Sequence, residues 1–264
     1  MCMTTTEGDK DRYIVPGLER GLKILQVFSQ DKSELGIAEL ARAIGISRST
    51  AFRLVHTLEI MGFLKKVDNS KKYQLGSRIL DLGFSYLSGV DIVDIARPFL
   101  QILRDQIDAS VHLVVRDARE VIYVARFAAK KHFTSNVGVG TRFPAHATTS
   151  GRVILSDLTM TEIVGLFEGV EFKVFTEYTP SSLGDLINML ETGREKGYEL
   201  SWGYFEPGVA SLAVPIYNNA GRVSAAIGVS CPVSAVSQQD LEGRILEATL
   251  KQARAISESM GYKG

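Results

Sequence analysis

The chain is short of the residues that staple or metallate small proteins. It has two cysteines in 264 residues, Cys2 in a polar leader and Cys231 far down the chain. That excludes a disulfide framework and a clustered thiolate metal site, and it fits a reducing compartment. The four histidines, His56, His112, His132 and His146, show none of the short spacings a zinc site uses. Neither a metal nor a cofactor is therefore expected. No run approaches the roughly 18 consecutive apolar residues that a membrane span requires. The N-terminal MCMTTTEGDKDR carries no apolar signal core, so a soluble, cytoplasmic protein with no membrane partner is expected. Net charge is absent as well, 30 basic residues balancing 30 acidic ones. Internal repeats and low-complexity tracts are missing too.

What is present begins with apolar residues, 45% of the chain, enough for packed cores and, at this length, for two domains. The charge, zero in sum, is unevenly spread. Between Gly36 and Arg78 eight Lys/Arg stand against three Asp/Glu, whereas residues 91–264 hold 17 basic and 20 acidic residues. Basic charge confined to one short segment is the footprint of a phosphate-binding surface. A merely solvated basic surface is the plain alternative.

Residues 1–15 read as a disordered leader, and Pro16 suits the opening of a helix. Leu18, Leu22, Leu25 and Ser29 share one helical face, with Ile24 and Phe28 adjoining, which predicts an amphipathic helix over 18–30. A second helix is predicted over 37–44, closed by Gly45. A third runs from the cap Ser47 to about Met61, closed by Gly62. Residues 63–75 read as two short strands about the turn Asp68-Asn69-Ser70. Helical patterns over 76–88 and 91–108, broken near Gly89, form a connector, with a kink or a new helix start at Pro98. Beyond it the pattern predicts strands at 110–116 and 120–127 and helices at 150–155, 161–166 and 183–196. A hairpin of 211–217 with 223–230 and a helix over 238–260, capped by Ser237, complete it. The expected fold is α+β: a leader (1–15), a winged helix-turn-helix (16–76), a linker helix (77–92) and a second α/β domain (93–264) with an antiparallel sheet.

Residues 36–66, GIAELARAIGISRSTAFRLVHTLEIMGFLKK, carry the most information. Two helices that cross closely need a small residue at the crossing and a tight turn, which Ala41 and Gly45 supply. Ala51, Leu54, Val55 and Leu58 then supply a buried stripe at i, i+3, i+4, i+7. The other face presents Arg48, Ser49, Phe52, Arg53 and His56. Recognition helices enter the major groove of double-stranded DNA with their N-terminal residues leading, so Arg48, Ser49 and Thr50 fall in the reading turn. Ser47 and the first-turn N–H groups suit a phosphate, and Arg53 can reach guanine or phosphate. Phe52 suits either thymine methyls or packing against the wing. Lys65, Lys66, Lys71 and Lys72 bracket the hairpin and suit sequence-independent phosphate contacts.

Three blocks resemble the IclR family of bacterial regulators, over nearly the whole chain. They are VPGLERGLKILQVF together with the segment just described, GTRFPAHATTSGRVILS (140–156), and GYELSWGYFEPGVASLAVPIYNNAGRVSAAIGVS (197–230). The second block is most similar to the branch that senses aromatic acids and their ring-cleavage products. The resemblance implies a GAF-like effector domain, dimers or tetramers joined through a linker helix, and palindromic operators. It also implies an effector pocket lined by the turn Thr148, Thr149 and Ser150 and by Ser211, Gly228 and Ser230 on late strands. Their hydroxyls, and the N–H groups before the helix near Gly151, suit a carboxylate; simple helix capping is the alternative for each. Where many relatives carry an acidic pair spaced D-x-E, this chain has Trp202 and Tyr204, followed by Glu206. That substitution suggests an aromatic surface for the effector, Trp202 alternatively being a core residue. The expected function is transcription regulation by a DNA-binding protein whose effector is a small organic or aromatic acid.

Two rival functions follow from other residues. Cys231 with His112, His132 or His146 could form a nucleophile pair, which would give the second domain residual enzymatic activity. An inert buried thiol is the plainer expectation. The winged helix could instead be a protein-interaction module, against which the basic residues on its exposed face argue.

Overall fold

The computed structural model describes residues 13–29, 31–88, 91–129 and 137–263. Most of the expected leader, the break at Gly89 and His132 lie outside the described residues. The chain divides into two compact units, Met1–Gly89 and Val90–Gly264.

The first unit runs α1 (Pro16–Gln26), β1 (Leu35–Gly36), α2 (Ile37–Ala43), α3 (Arg48–Ile60), β2 (Leu64–Lys66), β3 (Lys72–Leu75) and α4 (Arg78–Ser88). Pro16 sits in the first turn of α1, where its missing N–H leaves no helical bond unmade. Ile24 and Phe28 meet Leu40 of α2, Val55 of α3, Leu64 of β2 and Tyr73 of β3 in one apolar cluster. Ala41 and Ala51 are buried where α2 and α3 cross, and Gly45 makes the intervening turn with φ +69°. The small sheet has the order β1-β3-β2 and is antiparallel throughout. One expectation is corrected: helix α1 stops at Gln26, because the chain turns there to pair Ser29 with Lys32. On its apolar face Leu18 and Leu22 are 64% and 52% exposed, while the adjoining Ile24 and Phe28 meet the core.

The second unit runs α5 (Asp91–Ile107), β4 (Ser110–Asp117), β5 (Glu120–Phe127), β6 (Arg142–Pro144), α6 (Thr149–Leu155), α7 (Met160–Phe167), α8 (Leu183–Lys196), β7 (Glu199–Trp202), β8 (Val209–Tyr217) and β9 (Val223–Pro232). Its six strands form one antiparallel sheet in the order β6-β5-β4-β9-β8-β7. Helix α6 lies across the sheet. Val153, Ile154 and Leu155 pack with Val114, Ala213 and Ala226 of the strands and with Phe167 and Leu186 of the neighbouring helices. The terminal segment is not the continuous helix expected: α9 (Gln238–Asp240) passes through a π-helical turn, Leu241–Ile245, into α10 (Leu246–Ser259). Ser237 caps it as expected, its Oγ accepting from Asp240 N–H at 3.0 Å. Pro98 starts no helix; it sits inside α5, which already runs from Asp91. Strands β1, β6 and β7, two to four residues long, have no counterpart among the expected elements. Among the described residues no helix is long and apolar enough to cross a membrane.

Candidate functional site

In the first unit the side chains singled out for DNA lie on the exposed face of α3 and on the wing. Ser47 is committed to capping: its Oγ accepts from Thr50 N–H at 3.1 Å and lies 2.8 Å from Thr50 Oγ1. Thr50 is half-buried, whereas Arg48, Ser49 and Arg53 are exposed, and among the described residues no ion pair engages either arginine. Phe52 is 54% exposed and stacks on His56, ring centroids 6.2 Å apart. In the hairpin, Lys66 pairs across the ladder with Tyr73, whose buried ring holds the wing to the core. Asn69 takes φ +55° in the connecting turn, and Ser70 Oγ accepts from Lys72 N–H at 3.1 Å. Lys65, Lys66, Lys71 and Lys72 are exposed on both sides of that turn.

The second unit encloses a cavity whose floor follows from strand register. His112 lies opposite Gly228, and Ser230 lies opposite both Ser110 and Ser211. Ser211 in turn lies opposite Ser201. Side chains alternate along a strand, so His112, Gly228, Ser230, Ser211 and Ser201 share one face. Helix α6 closes over this face. Gly228 makes the approach possible, since a Cβ there would stand 2.7 Å from Ser150 Oγ. Thr148, Thr149, Ser150, Ser211, Gly228 and Ser230 all line the resulting cavity of about 60 Å³. Capping is the role of Thr148, whose Oγ1 accepts from Gly151 N–H at 3.1 Å. Thr149 instead turns its hydroxyl to Ser201, 2.8 Å away.

His112, Tyr123, Phe143, Ser201, Phe205 and Glu206 complete much of the lining and were not anticipated. His112 is 3% exposed, and its Nε2 lies 3.1 Å from Ser230 Oγ. Burial, with Arg126 nearby, pushes its ring down to about 4, so it is neutral at neutral pH. Tyr123 meets it edge-on at 5.3 Å and is pushed up to about 12 by burial. Phe143 continues the aromatic wall, 5.6 Å from Tyr123 and 4.8 Å from Phe205. The cavity thus offers several hydroxyls, one neutral imidazole, an aromatic wall and the carboxyl of Glu206.

Trp202 and Tyr204 do not belong to this lining. On β7, Ser201 faces the cavity, so Trp202 faces away. Tyr204 stacks on Tyr178 at 5.2 Å, and the Arg152 guanidinium lies 5.5 Å from its ring centroid. Phe143 and Phe205 supply the aromatic surface instead. Arg152 itself is fully buried. It donates to the carbonyls of His146 and Ala147, just before the Thr148 turn, and its Nε stands 3.7 Å from the Glu199 carboxylate. Burial lowers the arginine and raises the glutamate. A buried arginine has no signature in periodicity, so this support of the turn was not legible.

Cys231 is no nucleophile. It is buried, and burial pushes its thiol up to about 11, so the reactive thiolate is scarce. His112 points its Nε2 at Ser230. Among the described residues no three metal-ligating side chains gather.

Two family models match the chain. Residues 17–68 match the family model described as the IclR helix-turn-helix domain. Residues 84–258 match the one described as the bacterial transcriptional regulator IclR C-terminal domain. The chain is 32% identical to the HTH-type transcriptional regulator XynR of Escherichia coli (strain K12), over 94% of this chain and 98% of that protein. It is 31% identical to the Pca regulon regulatory protein of Pseudomonas putida, over 94% of this chain and 84% of that protein. Among solved structures it is similar to an IclR homolog complexed with 4-hydroxybenzoate from Microbacterium hydrocarbonoxydans. The TM-score is 0.81 at 22% identity, covering 92% of this chain and 98% of that one.

Proposed function

Because the chain belongs to the IclR family of bacterial transcriptional regulators, we propose that a small organic acid, held in the cavity beneath α6, sets its affinity for a palindromic operator. The chain is a DNA-binding regulator and not an enzyme. The observation that carries the effector reading is convergence: hydroxyls of Thr149, Ser150, Ser201, Ser211 and Ser230 line one cavity with His112. Hydroxyl donors without a nucleophile suit recognition of an oxyanion, not its conversion. Size narrows the acid. The cavity measures about 60 Å³, whereas a protein cavity that binds benzene measures about 150 Å³. A short-chain acid matches that volume more closely than an aromatic one does. The bound 4-hydroxybenzoate of the Microbacterium protein and the name of the Pseudomonas regulator keep ring acids and related acids in the set to test.

DNA recognition is assigned to Arg48, Ser49, Thr50, Phe52 and Arg53 in the groove, with Ser47 capping, and to Lys65, Lys66, Lys71 and Lys72 on phosphates. A two-fold operator calls for at least a homodimer, and a tetramer pairs two such readers. A regulator of this kind works in the cytoplasm, where the chromosome is. A thermal-shift screen of short-chain and aromatic acids, followed by gel shifts with each hit, tests the reading. An acid at a hundred times its Kd stabilises the folded state by about 2.7 kcal/mol, and Ser150→Ala is expected to weaken that effect. Stabilisation by neutral sugars or amines alone, untouched by Ser150→Ala, contradicts it.

A further inference from the structure

His112 leaves one ring nitrogen unused. Nε2 is taken up by Ser230 Oγ, 3.1 Å away, while Nδ1 is buried without a hydrogen-bond partner. A buried, unpartnered polar atom costs free energy unless something meets it, and the ring lines the cavity. Directly across the ladder stands Arg126, whose Nε is also buried and unpartnered. Two adjacent side chains of one face therefore each keep one buried nitrogen without a partner.

We propose that His112 is the specificity-determining residue of the cavity and anchors the effector through a proton: the acid's carboxylate meets the imidazole, which takes one proton from bulk water on binding. This rests on the cavity being the effector site. The physical case is one of fields. Burial and the Arg126 charge both disfavour the imidazolium, which holds the ring down to about 4. A carboxylate within about 4–6 Å favours it, and the same carboxylate offers Arg126 a counter-charge. The other groups facing the ring do not compete for the proton. Tyr123 on β5 stays neutral, pushed up to about 12. Strand β9 presents Gly228 and the Ser230 hydroxyl, and α6 presents the hydroxyls of Thr149 and Ser150. Glu206 is the one carboxyl of the chain among the described lining residues. Linkage then fixes the sign. Below the ring's bound-state pKa and above its free value, affinity for the acid tightens roughly tenfold for each pH unit of acidification; above the bound-state value it is flat. A selectivity follows as well: neutral isosteres such as amides gain nothing from acid.

The test is calorimetric titration of the full-length protein with pyruvate, benzoate and 4-hydroxybenzoate between pH 5.5 and 8, in buffers of different ionisation enthalpy. The expected result is heats that depend on the buffer, with a proton uptake that rises as the pH falls from 8 to 5.5 and does not exceed one per acid bound. The His112 ring resonances of the labelled protein should move to the imidazolium position on binding. In His112→Asn the proton uptake should vanish; should that variant fail to fold, the wild-type proton count decides alone. An acid that binds with heats independent of buffer and affinity independent of pH overturns the inference but leaves the cavity reading standing, the ring then acting as a neutral donor. Absence of binding by all three acids at millimolar concentration removes the cavity reading, and this inference with it.

Discussion

Gly228 and Ser150 occupy what is nearly one space. Gly228→Ala puts a Cβ 2.7 Å from Ser150 Oγ, so the hydroxyl must rotate out of the cavity. The expected outcome is weaker acid binding with a stability loss of only about 1 kcal/mol, the low end for overpacking, since a single hydroxyl can give way. Chemical denaturation should show Ser150→Ala relieving that loss when combined with it. His112 makes a pH prediction for the free protein. The unfolded chain takes up a proton near 6.5, the folded one only near 4. Acid therefore favours unfolding across that window, by about 3 kcal/mol at its lower end, and His112→Asn should flatten this part of the stability–pH curve. His146 is also lowered by burial and adds a contribution of the same sign. On the DNA side, Arg53→Ala should cost about 1–3 kcal/mol and relax specificity at one position per half-site if Arg53 meets a base edge. Lys71→Ala should weaken all sequences alike and lower the salt slope by about one. Equal, sequence-independent losses from both would show that Arg53 touches phosphate only.

At the scale of elements, caps and short strands behave oppositely. Ser47, Thr148, Ser182 and Ser237 all accept a first-turn N–H of the helix they precede, a role readable from residue type. Ser47→Ala is accordingly expected to lower stability by about 1 kcal/mol and to weaken operator binding through the first turn of α3; melting curves and gel shifts measure the two. Strands β1, β6 and β7 had no such signal. Two to four residues show no period, and each pairs only because a neighbouring strand already offers its edge. Missing β7 had a functional cost: as a strand, Glu-Leu-Ser-Trp sends Ser201 and Trp202 to opposite faces, which moves the aromatic surface from Trp202 to Phe143 and Phe205. The π-helical turn at Leu241–Ile245 is a similar case. Its residues have ordinary helical composition, and we have no physical account of the extra residue in that turn.

At the scale of the molecule, the apolar surface of the first unit points to self-association. Leu18 and Leu22 on α1 and Leu80 and Leu82 on α4 are each more than half exposed, where a monomer gains nothing from them. Light scattering at micromolar concentration should give a dimer or tetramer, and Leu22→Glu should shift it toward monomers and lower operator affinity. A monomer that still binds operator tightly would contradict the assembly. An acid can change operator affinity only by binding one state of the protein better than another, and the coupling is reciprocal. Operator DNA should therefore change the acid's Kd by the same factor.

The sequence by itself determined the winged helix-turn-helix, because its evidence is local: caps, glycine stops, a small residue at a crossing and a stripe of period 3.6. It also carried the hydroxyl positions of the cavity, through a resemblance extending over most of the chain. Tertiary structure alone decided which face each residue serves. Leu22 rather than Ile24 reaches solvent, Phe52 stacks on His56, Trp202 turns from the cavity, and His112, Tyr123 and Phe205 turn into it. Such outcomes depend on cross-strand register and on how closely α6 can approach Gly228. A shift of one residue in register reverses every side chain of a strand, and nothing within a four-residue segment specifies that register.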